Sequence, residues 1–370
     1  MLIFMKRSTW LCWEKCKWSN ILYGFTCIVT LQLSSCIKDA PLNPEADIES
    51  FVVDSSLTTG DVFIDQANSK IMLYLKESAY ESGLAPSITV SDGATVSPAT
   101  GDSIHFNQPI TYTVTSASKT STKVYKVEVV QTGTWDFDFE YWDKNERDQY
   151  EFPVEEDGTV LWSSGNPGVA LSGVPKRPDA YPLRQTTDSR FGNTAAELVT
   201  LKGTTLSSLF GVKLFAGSLF LGIFDSQNAL LEPLKATRFG QPISKGIPEF
   251  FTGYYKYTPG ENFQDKDGNI LPGITDSCAL YAVIYSGTER LDATNIHNSP
   301  RIIATAYLPD GSRREAYTHF SIPFTYIRQP ADGDDFMLTI VASSSRDGDQ
   351  YRGAIGSRLV VDSLSIKMKP

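Results

Sequence analysis

Acidic and aromatic side chains alternate in TWDFDFEYWDKN, residues 134–145: Trp135, Phe137, Phe139 and Tyr141 take the odd positions, Asp136, Asp138 and Glu140 the even ones. Extended backbone repeats its side-chain direction every second residue. The rings would then face a core, and the three acids would share the other face with Trp142. Carboxylates two apart on a strand stand about 6 to 7 Å apart, near the lower edge of the spacing used by inverting glycosidases. Three like charges in a row also suit a solvated face or a hard cation such as calcium. Solvated face, cation site and catalytic pair all stay open on residue type alone.

Other stretches pair rings with polar groups, the combination that sugar recognition needs: a plate for the C–H face of a pyranose and planar donors or acceptors for its hydroxyls. YWDKN supplies Trp142, and LWSSGNPG supplies Trp162 and Asn166 in a turn-rich setting. GYYKYTPG puts Tyr255 and Tyr257 on one strand face and Tyr254 with Lys256 on the other. SSSRDGDQYRGAIGS, residues 343–357, is a polar loop offering Arg346, Asp347 and Arg352. Its glycines lack a Gly-Lys-Ser/Thr ending and no helix follows, which excludes a nucleotide-phosphate cradle. Zinc-protease, paired-cysteine and Gly-x-Ser-x-Gly patterns are absent as well.

The elements that must position these residues are strands. From residue 134 onward, runs such as VKLFAGSLFLGIF, CALYAVIY, RIIATAYL, FSIPFTYI, FMLTIVASSS and RLVVDSLSI are separated by Gly, Pro, Asp or Asn. The first is apolar at both parities, as in a central strand covered on two sides. No stretch keeps a helical period for more than about ten residues. Two sheets packed face to face, as in a jelly roll, are the economical solution. In RLVVDSLSI, Asp362 shares the parity of Val360, Leu364 and Ile366 and so aims at the core unless a bulge intervenes. A buried carboxylate needs donors, an opposite charge or a metal.

Seven shorter runs between residues 50 and 130 (FVV, DVFIDQ, KIMLYL, SITVS, ATVSP, ITYTVTS, KVYKVEVV) are broken by TTGD, SDG and PATGDS turns. Their spacing fits an immunoglobulin-like sandwich. Composition changes from Thr/Ser/Val-rich to aromatic-rich near residue 131. The expected order is a signal segment over 1–35, a linker over 36–48, an Ig-like β-sandwich over 49–131 and a jelly-roll domain over 132–370.

Lys6, Arg7, Lys15 and Lys17 precede a thirteen-residue apolar run, residues 21–33, too short for a comfortable membrane span. LSSC, residues 33–36, then resembles a bacterial lipobox, which would make Cys36 the lipidated residue. Of five cysteines only Cys278 lies beyond that point, so it is expected to pack as a small buried hydrophobe. Without the signal segment 29 basic residues face 42 acidic ones. That balance disfavours nucleic acid and anionic lipid as partners.

The segments ATRFGQPI…GYYKYTPGENF, DSCALYAVIY and ASSSRDGDQYRGAIGSRLVVDSLSI together resemble the putative carbohydrate metabolism domain (PCMD) of Bacteroides lipoproteins, over roughly residues 135 to 368. The preceding region is similar to the Ig-like modules of Bacteroidetes surface lipoproteins. The resemblance implies a jelly roll, an outer-membrane setting exposed at the cell surface, and glycan as partner, with outer-membrane glycan-uptake proteins as further partners. It brings no catalytic residue. VVDSLSI also resembles the last strand of carbohydrate-binding jelly rolls, which often gives an acid to a structural calcium site. Glu140 and Asp362 are the metal candidates on that ground, and no other cofactor is required.

The expectation is therefore an all-β surface lipoprotein that binds glycan. The alternatives are a glycoside hydrolase using paired carboxylates, with Asp138 or Asp276 as acids to test, and an adhesin or structural surface protein.

Overall fold

In the computed structural model, residues 41–369 are described, apart from 59, 76, 107–108, 131–134, 227–228, 230–231, 244–245 and 331–334. Cys36 and the signal segment lie outside them. The described chain is built of strands, and none of its helices exceeds the six residues of Glu77–Ser82. No described helix is long and apolar enough to cross a membrane.

All seven N-terminal runs form strands. Ile48–Val52 pairs with Ser87–Val90, while a second sheet runs in the order Phe63–Asp65, Lys70–Leu73, Thr122–Val129, Ile110–Thr115, Thr95–Ser97. Within it only the Lys70–Leu73 and Thr122–Val129 pair is parallel. Alternation in ITYTVT buries Tyr112 and Val114 against Ile48, Phe51, Ile71 and Tyr125. The threonines between them face outward, as period-two patterning requires.

The remaining strands form two larger sheets. The first follows the order Leu291–Asp292, Thr237–Phe239, Ser218–Phe224, Phe336–Ser343, Ala279–Ser286, Ile302–Tyr307, Thr325–Tyr326, with Trp162–Ser164 and Gln241–Ile243 at its side. The second, smaller sheet follows Leu183–Thr186, Ala195–Val199, Arg358–Met368, Pro248–Thr258, Arg314–Pro323, with Asp136–Phe137 on the Arg358–Met368 strand. Leu219, Leu221, Leu280, Ala282, Leu338 and Ile340 of the larger sheet meet Leu198, Phe251, Tyr255, Tyr257, Leu359 and Val361 of the smaller one in a shared core. The larger sheet is covered on its other face too, where Phe220, Tyr281, Val283, Tyr285 and Val341 form a separate cluster. Burial on both faces explains why Ser218–Phe224, the expected covered strand, is apolar at both parities.

From Asn43 onward the chain is one compact unit. Met72, Tyr74 and Val130 belong to the core of the larger sandwich. Asn145 donates to Asn68 Oδ1 at 2.5 Å, and the Arg290 guanidinium lies 4.6 Å from the Tyr74 ring centre. The N-terminal sandwich is thus packed onto the larger one.

Candidate functional site

The opening motif is structural. Trp135, Phe137 and Phe139 are buried as expected, but Phe139 adopts φ 58°, in the left-handed region, which breaks the alternation. Beyond it the parity reverses: Tyr141 is exposed and Trp142 is half-buried, its Nε1–H donating to Phe139 O at 2.8 Å. The carboxylates disperse. Asp136 pairs with Lys367 at 2.9 Å, Asp138 stays exposed and accepts from the Glu140 N–H, and Glu140 reaches another loop.

Glu140 and Asp362, the metal candidates, both hold the loop of residues 190–194. Glu140 accepts from the Asn193 and Thr194 N–H groups at 2.9 and 3.1 Å and from Asn193 Nδ2 at 3.1 Å; desolvation raises its carboxyl, but these bonds together outweigh it and leave the pKa lowered from its ordinary value. Asp362 Oδ2, fully buried, accepts from the Arg190 and Phe191 N–H groups at 2.5 and 3.0 Å. A bulge puts it there: Thr252 pairs with Ser365 but Tyr254 pairs with Asp362, and Ser363 takes φ 51°. Leu359 and Val361 on one side of the bulge, and Leu364 and Ile366 on the other, all reach the core, so Asp362 lies on the outer face under the loop. The two acids meet different N–H groups, and among the described residues no group of three His, Cys, Asp or Glu side chains is placed to hold a metal ion.

Several ring candidates are core residues. Trp162 is 2% exposed, with Phe137 edge-on at 4.9 Å and Phe139 at 5.4 Å. Asn166 is fully buried and clamps Leu183, its Nδ2 donating to Leu183 O at 2.8 Å and its Oδ1 accepting from Leu183 N–H at 3.1 Å. Tyr255 and Tyr257 point into the sandwich, their hydroxyls donating to Asp310 O and Ser344 O. All four side chains are buried rather than standing out of loops. Lys256 lies on the outer face and ion-pairs with Asp188 at 2.7 Å. Cys278 is buried, which pushes its thiol up to about 12 and keeps it protonated.

The polar loop lies at the surface and is anchored from beneath. Ser344, Ser345 and Ser357 are fully buried and bolt it down. Ser344 Oγ accepts from the Gly217 N–H at 2.8 Å, and Thr200 Oγ1 bonds both Ser344 and Ser345. Buried Asp276 collects the Ser345 and Ser357 hydroxyls at 2.6 and 2.7 Å and the Ala354 N–H at 2.8 Å. Desolvation raises its pKa, opposed by those bonds. Asp276 is therefore buried and holds the loop from beneath.

So anchored, residues 346–351 form one wall of a cavity of about 930 Å³ on the outer face of the larger sheet. Phe220, Tyr281, Tyr307 and Val341 make its floor, and Val169, Leu206, Phe210 and Leu234 contribute other walls. Tyr307, 42% exposed, stacks on Tyr281 with centroids 5.1 Å apart and planes 28° apart. His297 lies 5.4 Å from Tyr281, its Nδ1 3.2 Å from the Tyr307 hydroxyl. Arg346, Asp347, Asp349 and Gln350 supply the polar side. Arg352 sits behind them, 3.8 Å from Asp347 and over the Phe263 ring. Desolvation raises the Asp349 carboxyl, with Asp347 adding to the rise and His297 opposing it. Rings, a guanidinium and two carboxylates thus line one space whose volume is in the range of ligand pockets. Tyr281, Tyr307, His297 and Asp349 escaped the sequence reading. The first two sit in strands apolar on both faces, a pattern that signals cover without identifying it.

Residues 138–367 match the family described as "Putative carbohydrate metabolism domain" (PCMD), and residues 48–129 match "SGBP, N-terminal", the N-terminal domain of surface glycan-binding proteins. The chain belongs to the PCMD family. A crystal structure from Bacteroides thetaiotaomicron VPI-5482, described as a "putative glycoside hydrolase", is 35% identical with a TM-score of 0.82, over 90% of this chain and 99% of that one. Another so described, from Bacteroides vulgatus ATCC 8482, is 31% identical with a TM-score of 0.58, over 64% of this chain and 98% of that one. No curated protein matches. The chain is thus a glycan-related protein, and its N-terminal match points to the cell surface.

Proposed function

We propose that this protein is held to the outer membrane by lipid on Cys36 and binds glycan in the cavity over the larger sheet, delivering it to outer-membrane uptake proteins. The observation that carries the reading is the Tyr281–Tyr307 stack standing beside Arg346, Asp347 and Asp349 in one cavity. The ring face of Tyr307 takes a pyranose C–H face, and the charged groups of the anchored loop take its hydroxyls. Retardation in gels containing xylan, mannan, β-glucan or polygalacturonate tests it. Tyr307→Ala and Arg346→Ala are each expected to weaken binding of the retarding polymer about tenfold, the loss of one stacking or charged contact. Unchanged retardation in both variants would refute the cavity as the site.

Hydrolysis is the second reading. What favours it is the presence of two carboxylates, Asp347 and Asp349, in the wall of one cavity, with desolvation raising that of Asp349. Release of reducing ends that disappears in Asp349→Asn would establish turnover. Bound polymer that stays intact over days leaves binding alone.

A further inference from the structure

The outer face of the smaller sheet carries a second group of rings. Tyr254 alternates with buried Tyr255 and stands outward, with His319 across the strand pair at 4.9 Å. Phe191, 49% exposed, sets its ring edge-on to Tyr254 at 5.2 Å and 82°. Arg190, also exposed, holds its guanidinium 4.8 Å from the Phe191 centroid and 5.5 Å from that of Tyr254. It makes no ion pair among the described residues.

An exposed phenyl ring on a surface loop is ordinarily loose. This one is fixed from below. Asp362 holds the Arg190 and Phe191 N–H groups, Glu140 holds those of Asn193 and Thr194, and Thr194 Oγ1 donates to Phe139 O at 2.7 Å. Burying Asp362 would be costly without donors: the Ser363 hydroxyl meets its Oδ1 at 3.1 Å, and the two backbone groups beneath the ring and the guanidinium meet its Oδ2. A burial that serves to immobilise a solvent-facing ring and an unpaired planar cation is the arrangement that lowers the ordering cost of binding a flexible chain.

We propose that Phe191, Tyr254 and Arg190 form a second glycan platform, on the opposite side of the sandwich from the cavity. A pyranose of a polysaccharide lies against the Phe191 ring, and its hydroxyl oxygens accept from the Arg190 guanidinium, whose planar fork is already oriented by the rings. The platform rests on the glycan-related character of the family and is independent of the cavity.

The same four polymers, xylan, mannan, β-glucan and polygalacturonate, are used in gel retardation, with full-length Phe191→Ala, Arg190→Ala and Tyr307→Ala compared with the unaltered protein. Because Phe191 and Arg190 are exposed, their variants keep the fold, and an unchanged melting temperature verifies this. The expected result is about tenfold weaker retardation in Phe191→Ala and a smaller loss in Arg190→Ala. Loss in Tyr307→Ala with full retardation in Phe191→Ala overturns the platform and leaves the cavity. The reverse pattern supports the platform and removes the cavity reading. Retardation by none of the four polymers overturns the platform.

Discussion

At the residue scale, the acids divide by what solvates them. Asp276, Glu140 and Asp362 are each met by several donors and serve to hold loops, whereas Glu155 is half-buried near Asp138 and Asp157. Desolvation first, then those two like charges, pushes its carboxyl up to about 7 from an ordinary value of 4.5. Between those values the folded protein keeps a proton that the unfolded chain has released. Stability must therefore fall as pH rises through that window and stay lower above it. Glu155→Gln is expected to flatten this slope, so that the drop in urea midpoint between pH 5 and pH 8 is smaller than in the unaltered protein. An unaltered slope would place the proton elsewhere. Such distinctions are invisible in composition. Trp162 and Asn166 read as loop residues beside glycine and proline, yet the Trp162 ring fills the core and the Asn166 amide closes two backbone valences. Arg346 and Asp347 were legible because a charged, glycine-bearing stretch before a final apolar strand has to be a surface loop.

At the scale of elements, strand existence was legible and facing was not always so. Short runs between turn clusters located the seven N-terminal strands, a run apolar at both parities located the covered Ser218–Phe224 strand, and the facing of side chains was read from period-two patterning. It failed at Phe139 and Ser363, where positive φ inverts the parity, because nothing in either side chain announces that backbone state. Those two irregularities lie in the segments that bring Glu140 and Asp362 to one loop. Gly192 in that loop has φ 62°, and a β-carbon there would stand 2.1 Å from Glu140 Oε1. Gly192→Ala thus meets both backbone strain and a carboxylate that would have to withdraw from its donors. A loss of about 1 to 3 kcal/mol in unfolding free energy is expected, measured by denaturant titration. Amide exchange should quicken at Phe191 and Asn193. A variant of native stability with slow exchange there would show that the loop relaxes around the methyl group.

At the scale of the molecule, the N-terminal sandwich shares its buried residues with the larger one through Met72, Tyr74 and Val130. Shared burial couples folding, so calorimetry on the protein from residue 43 onward should show one unfolding transition. Two resolved transitions would mean that the contact is too weak to couple the modules. The two sheets of the larger sandwich divide the labour, the larger flooring a cavity and the smaller carrying the clamped rings. The clamp itself draws on distant parts of the chain: Arg190 and Asp362 are 172 residues apart, Asn193 and Glu140 are 53. Pairings of that range close late, after the intervening strands have been laid down. A polypeptide cut off before its last strand would still contain Phe191 yet lack the acid that seats it. The ring is therefore displayed in its fixed pose only once the Arg358–Met368 strand has been made and has paired.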